Sequence, residues 1–316
     1  MPPFAPMPSD PAPLGSAVLP FELRALPGEF EAAEVVGLDR EAASASSEAK
    51  LALRDALAAH AVLCIRLDKG LDEPGFRALA ELFGEIKRPV GRTRDGSSLA
   101  YDVERQVIDA GFVITDEIRE KLGAHSFGGN ADRPGLFEYF HTDDTYTEAP
   151  AAATIIHARA LPAGGGGDTE FLDMRAAFDR LPAAERARIA ALRAVHVYNN
   201  QGAFPPRPPA AGPPEALVEV SHPVVRTHPL TGRRALYFDL DRALAVTGLE
   251  PEAGCALLQA LQDHAEAHAL RYAHAWRPHD ALIWDNASVQ HRARGDFALG
   301  EPRRLWRFLI AGPAPI

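Results

Sequence analysis

Cysteine is scarce. Cys64 and Cys255 are the two cysteines among 316 residues, and each lies in an apolar stretch. A disulfide framework or a cysteine metal cluster is therefore not expected. No apolar run approaches the roughly 20 residues that a membrane span needs. The N-terminus lacks the basic-then-apolar layout of a secretory signal, so a cytoplasmic protein is the expectation. Positive charge is also in deficit: 33 Lys and Arg against 43 Asp and Glu leave a formal net charge of -10. A general binder of nucleic acid or of an acidic membrane needs a basic face, and neither partner is expected. A local basic pocket for a small anion is not excluded. There is no internal repeat.

What is present fits an ordinary globular protein, 47% hydrophobic and 24% charged,. The proline-rich residues 1–18 have no periodicity and read as a disordered arm, leaving 19–316 as a single domain. "SSEAKLALRDALAAH" repeats apolar residues at helical spacing with Ser46 or Ser47 as its cap. "AVLCIRL" (61–67) follows as a buried strand, and "EPGFRALAELFGEI" as a second helix with Pro74 in its first turn. Residues 88–133 are polar and dotted with glycine, too long for a simple connection, and read as a lid or binding insert. Beyond 134, short β-rich segments dominate: "GLFEYFHTD", "AATIIHARAL", "DTEFLDM", "AVHVYNN", "HPVVRTHP", "RRALYFDL", "RYAHAWR", "DALIWDN" and "RLWRFLIAG". "HPLTGRRALYF" has the form of a hairpin turning at Gly232. Helices interrupt at "MRAAFDRLPAAERARIAAL" and "PEAGCALLQALQDHAEAHAL". The pattern predicts an α+β, mainly β fold, a jelly-roll core flanked by helices.

Within "EYFHTDDTYTEAP", His141 and Asp143 are two residues apart, so in a strand they project to one face. Such a pair is either a solvated edge or part of a metal site. His291, after the apolar "ALIWDNASVQH", is the candidate third ligand. Two histidines and one carboxylate form the facial triad of non-haem Fe(II) enzymes, with open positions for a co-substrate and O2. A closed structural zinc site would want four ligands, typically thiolates. Downstream, "RRLWRFLI" places Arg303 and Arg307 on one strand face with Leu305, and Arg304 and Trp306 on the other. Arginine is the natural bidentate partner for a buried carboxylate; the other reading of Arg303 and Arg304 is a pair of solvated edge charges.

Several of these motifs, in this order, resemble the taurine/2,4-dichlorophenoxyacetate dioxygenase (TauD/TfdA-like) family over about residues 28–312. They are "FHTDDTYTEAPAAATIIHARALP", "GGDTEFLDMRAAFDRLP", "HPVVRTHPLTGRRALYF", "WRPHDALIWDNASVQHRA" and "RRLWRFLIAG". The resemblance implies a double-stranded β-helix and an Fe(II)- and 2-oxoglutarate-dependent oxygenase. It implies His141, Asp143 and His291 as iron ligands, and Thr169 and Arg303 as partners of 2-oxoglutarate. His291 to Arg303 is one residue longer than in the taurine enzyme. Arg304 is the competitor, and Arg303 is preferred because it keeps the four-residue step to Arg307. Arg307 matches the arginine that grips the substrate's anionic group.

Arg88 stands where the taurine enzyme has a histidine, and Gly91 where it has a tyrosine, so taurine is not the expected substrate. Arg88 and Arg307 suggest a small carboxylate, sulfonate or sulfate, with Tyr146 and Asn200 as further pocket residues. His222 and His228 read as structural. Asp143 leaves no vacancy for a halide, as halogenases have. The expected reaction is C–H hydroxylation with release of succinate and CO2; desaturation or cyclisation uses the same ligands. Metal-assisted hydrolysis leaves Thr169 and Arg303 without a role. A non-catalytic jelly-roll binding protein leaves the open metal site without one. Homo-oligomerisation stays open.

Overall fold

The computed structural model describes residues 20–87, 108–109, 139–197, 219–298 and 301–316. The expected N-terminal arm lies outside the described residues, as does the 88–133 insert apart from the short strand Ile108–Asp109.

Helix starts follow the local chemistry of the sequence. Ser46 Oγ accepts from Ala49 N at 3.1 Å and opens helix Ser47–His60, pairing one of the N–H groups that a first turn leaves unbonded. The buried strand Val62–Ile65 follows. Asp72 caps helix Glu73–Glu81, with Pro74 in the first turn, where its missing N–H costs nothing,. The stretch after Asp173 divides into Met174–Asp179 and Ala183–Ile189, because Pro182 between them cannot donate to a helical ladder,. Helix Pro251–His268 is continuous.

The strands make one large sheet and several small ones. The large sheet runs in the order Glu22–Ala25, Ala33–Val36, Val62–Ile65, Ala281–Asp285, Ala153–Ala160 and Arg304–Ile310. Ile86–Lys87 and Ile108–Asp109 both pair with its last long strand. Every pairing is antiparallel except Ala33–Val36 with Val62–Ile65. A three-stranded sheet orders Arg271–His274, Thr169–Asp173 and Val289–Ala293, and a second orders Ala243–Val246, Arg193–His196 and Val220–Pro223. Val225–Thr227 and Arg234–Leu236 form the expected hairpin, with Gly232 at φ 67 in its turn.

Period-two alternation gives the large sheet two buried faces. Ile155, Ile283, Leu63, Phe308 and Ile310 face one way, onto Leu53 and Leu57 of one helix and Phe76 and Leu79 of the next. Ile156, Leu282, Trp284, Cys64 and Leu305 face the other way and meet Phe171 and Val289 of the first small sheet. Leu172, on that sheet's outer face, packs with Phe178, Leu257, Leu258 and Leu261. The result is a mixed sheet-and-helix sandwich. No helix among the described residues is long and apolar enough to cross a membrane.

One expectation changes. "GLFEYFHTD" is not a strand where it is described: His141 makes a single isolated bridge, and turns follow it. Asp144 lies at φ 67, a left-handed conformation that Asp tolerates better than most residues and that ends extended pairing,.

Candidate active site

The crossing from one sheet to the other builds the site. The strand Ala281–Asp285 leaves the large sheet and turns through Asn286–Ser288. It then continues as Val289–Ala293 in the small sheet, which carries His291. Asp285 shapes the turn: its Oδ1 accepts from Ala287 N at 2.9 Å, and Ser288 Oγ donates to its Oδ2. His228 Nδ1 accepts from the N–H groups of Leu230 and Thr231, so its proton sits on Nε2, 3.0 Å from Asp285 Oδ2,. His228 is thus structural, as expected.

His141 and His291 bridge as a doubly bonded antiparallel pair, His141 N to His291 O at 3.0 Å and His291 N to His141 O at 2.9 Å. Directly opposed residues of such a pair put their side chains on one face, and the imidazole centroids are 4.3 Å apart. The turn after His141 then brings in the carboxylate. Asp143 Oδ1 is 3.9 Å from His141 Nε2, and Oδ2 is 3.7 Å from His291 Nε2. One ligand atom from each residue lies within 4.8 Å of the other two. Lys87 pins the turn by donating to Asp144 Oδ2, to Thr147 Oγ1 at 2.9 Å and to Ala149 O at 2.6 Å.

The protonation states suit a divalent ion. Burial opposes ionisation of Asp143, yet His291, Arg307, His141 and the Thr154 hydroxyl together hold its carboxyl down at about 2. Burial, reinforced by His141, pushes the His291 imidazole down to about 3. A carboxylate and a neutral, buried imidazole are two of the donor forms that a metal of this class requires.

A second polar pocket lies along the last strand. Arg303 is buried; its Nε donates to Gly167 O at 2.8 Å and its Nη2 to Thr169 Oγ1 at 3.3 Å. Gly167 lies at φ +74, which L side chains rarely adopt, and an added Cβ would stand 2.9 Å from Arg303 Cδ and force a shift,. Arg303 makes no ion pair among the described residues, and burial pushes its guanidinium down to about 10 against the pull of Asp168 and Asp296. Thr169 Oγ1 also accepts from Trp276 Nε1 at 3.1 Å. Both its lone pairs are thereby used, and its own proton has no acceptor among the described residues. A buried cation and a free hydroxyl proton side by side are suited to an incoming carboxylate. Arg307, four residues or about 13 Å further along the strand, puts Nη1 3.5 Å from Asp143 Oδ1, while its buried Nε has no partner among the described residues.

Residues 22–309 match the model of the family described as "Taurine catabolism dioxygenase TauD, TfdA family". The chain belongs to this family. The alpha-ketoglutarate-dependent 2,4-dichlorophenoxyacetate dioxygenase of Cupriavidus pinatubonensis is 35% identical over 158 residues, 50% of this chain and 54% of that protein. The chain thus spans about half the length of that relative. The alpha-ketoglutarate-dependent sulfate ester dioxygenase of Pseudomonas putida is 28% identical over 276 residues, 84% of this chain and 81% of that protein. The crystal structure of AAD-2 in complex with Mn(II) and N-oxalylglycine superposes with a TM-score of 0.72 at 25% identity, covering 93% of this chain and 98% of that one.

Against the TauD, TfdA expectations, the structure brings His141, Asp143, His291 and Arg307 together, and Thr169 together with Arg303. Arg304 is exposed on the opposite strand face, as alternation predicts. Tyr146 is half-buried within electrostatic reach of Asp143 and Arg307; burial, followed by Asp144, raises its hydroxyl pKa. His222 Nε2 donates to Thr147 O at 3.0 Å, a structural contact. Arg88, Gly91 and Asn200 lie outside the described residues.

Contrary to expectation, one cysteine does join a ligand-like cluster, Cys64 with His274 and Asp280. Asp280 is already held by Arg66, Arg277 N and His274 Nε2. Burial, then Asp280, pushes the Cys64 thiol up to about 12, so the cluster is a structural network,. The sequence reading missed Lys87, Thr154, Trp276 and Asn286. Each is an ordinary strand, turn or loop residue whose partner is distant in sequence, so no local pattern marks it.

Proposed function

We propose that this chain is an Fe(II)- and 2-oxoglutarate-dependent dioxygenase that hydroxylates a C–H bond of a small anionic substrate, releasing succinate and CO2. In this reading residues 19–316 are one domain, and the facing sheets are a double-stranded β-helix. The family match and the crossing of one chain segment between the two sheets support it. Free thiols at Cys64 and Cys255 suit a reducing cytoplasm,.

The observation that carries the proposal is Arg303, a buried guanidinium without a carboxylate partner among the described residues, beside an unused Thr169 proton. Leaving such a cation unpaired is costly, and a carboxylate co-substrate removes the penalty. Metal-assisted hydrolysis and a non-catalytic binding role both leave this pocket unexplained.

His141, Asp143 and His291 would hold the metal. With the metal and 2-oxoglutarate bound, the site would use O2 as the oxidant, one oxygen atom entering succinate as 2-oxoglutarate loses CO2 and the other entering the substrate C–H bond. The chain contributes orientation: Arg303 and Thr169 hold the distal carboxylate of 2-oxoglutarate by charge-assisted hydrogen bonds. Arg307, whose Nε is unpaired among the described residues, meets the substrate's carboxylate, sulfonate or sulfate. Tyr146 lines that side, with Arg88 and Asn200 assigned there from the sequence. Holding the C–H bond in reach of the oxidant supplies the positional part of the rate enhancement.

The test is a panel of small organic carboxylates, sulfonates and sulfate esters, scored by substrate-dependent succinate release and product mass. At least one anion should release succinate and gain one oxygen atom, while its neutral analogue does not. Loss of two hydrogens instead would move the assignment to desaturation or cyclisation. Absence of succinate with every anion and every neutral analogue would overturn the proposal.

A further inference from the structure

The Asp143 carboxylate is held from behind by a chain of side chains outside the metal-facing set. Thr154 Oγ1 donates to Asp143 Oδ2 at 2.6 Å. Asn286 Nδ2 donates to Thr154 Oγ1 at 3.0 Å, and Trp284 Nε1 donates to Asn286 Oδ1 at 3.0 Å. All of these residues are buried, Thr154 and Asn286 completely.

The direction of this chain follows from what each group can donate. An indole N–H only donates, so the atom of Asn286 that meets it is the carbonyl oxygen. The amide orientation is then fixed, and the amide nitrogen faces Thr154. That hydroxyl therefore accepts from Asn286, which leaves its single proton for Asp143. An ionised carboxylate only accepts, so it ends the chain. No step can be reversed without leaving a buried donor unpaired, at a cost of about 1–3 kcal/mol.

The relay stands on rigid backbone. Thr154 and Trp284 are register partners on adjacent strands of the large sheet, and Asn286 N donates to Ala152 O at 2.9 Å. The Trp284 ring also packs on the imidazole of His291, with centroids 4.5 Å apart. One side chain thus braces His291 directly and Asp143 through three hydrogen bonds in series.

We propose that Thr154, oriented by Asn286 and Trp284, is a positioning residue that fixes the rotation of the Asp143 carboxylate and thereby sets the metal affinity of the site. The inference rests on reading His141, Asp143 and His291 as the ligands. The hydroxyl occupies one lone-pair direction of Oδ2 and resists rotation about Cβ–Cγ. Losing an outer partner of this kind typically weakens metal binding 10–100-fold.

The test is anaerobic titration of the full-length apo chain with Mn(II) by calorimetry and with Co(II) by its ligand-field spectrum. Wild type should bind one equivalent of each metal and Asp143→Ala none; no such site in the wild type overturns the ligand reading itself. With wild-type binding established, Thr154→Val, close in shape but without a proton to give, should bind about 10–100-fold more weakly. Its Co(II) spectrum should shift. Thr154→Ser should restore both, and Thr154→Ala should match Thr154→Val; a packing role instead predicts that Val stays near wild type. Wild-type affinity and spectrum in Thr154→Val overturn the inference, as does a Ser variant as weak as Val. Should Thr154→Val fail to fold, the Ser and Ala variants carry the same comparison, and equal affinities overturn it.

Discussion

Arg303 and Arg304 are neighbours of identical chemistry, yet the structure treats them differently. Strand alternation turns Arg303 inward to Gly167 and Thr169 and leaves Arg304 exposed. Exchanging Arg303 for lysine keeps a charge and loses the planar fork that meets a carboxylate with two parallel bonds. Losing one charge-assisted hydrogen bond, about 1.5 kcal/mol, raises the KM for 2-oxoglutarate on the order of tenfold in Arg303→Lys. Arg304→Ala leaves that KM unchanged. Initial-rate succinate formation over a range of 2-oxoglutarate concentrations checks both, and equal effects would contradict the assignment. This distinction was legible in the sequence because a strand has a period of two. The Thr154 contact was not, because a threonine in "AATIIHARAL" looks like any strand residue until the turn bearing Asp143 is folded over it.

At the scale of elements, structure that depends on neighbours in sequence was legible and structure that depends on distant residues was not. Ser46, Pro74 and Gly232 announce a helix start, a first turn and a hairpin, because capping and turn chemistry act over a few residues. The segment around His141 looked like a strand because its residue types favour one. What ends the strand there is the left-handed Asp144, clamped by Lys87 from 57 residues earlier. Asp144→Asn keeps a residue that tolerates this backbone and removes the charge opposite Lys87. It should lower stability by roughly 1–3 kcal/mol in urea unfolding; an unchanged midpoint would show that the clamp is dispensable. Helix Glu73–Glu81 buries Phe76 fully, stacked on Phe308 with ring centroids 5.0 Å apart, alongside the equally buried Leu79. Phe76→Ala leaves a cavity there and should cost about 3–5 kcal/mol by the same method. A loss under 1 kcal/mol would mean that the helix is held elsewhere.

For the whole molecule, buried histidines set an acid limit. Burial is the first cause that lowers His157 to about 4, His196 to about 3 and His222 to about 4, from an ordinary value of 6.5. Between pH 6.5 and about 4 the unfolded chain takes up these protons and the folded chain does not. Their stabilisation is therefore complete above pH 6.5 and falls as the pH falls through that window. At pH 5 each costs up to about 2 kcal/mol. Asp239, raised to about 6 by burial, works in the opposite sense, since its stabilisation is lost as the pH rises through 6. Burial also raises Asp144 and Asp168, while His291 is a fourth lowered histidine, so among the described residues four histidines act against three aspartates and the apo chain should melt at a lower temperature at pH 5 than at pH 7.5. A higher Tm at pH 5 would refute this balance.

The proposed chemistry depends on a single metal held by two imidazoles and one carboxylate beside a pocket for a second carboxylate. Its most direct test is anaerobic optical titration of the apo chain with Fe(II) and 2-oxoglutarate. Wild type should develop a weak visible charge-transfer band that saturates at one equivalent of iron, and His141→Ala, Asp143→Ala and His291→Ala should each lose it. A band that survives any of these substitutions at wild-type intensity would contradict the site described here.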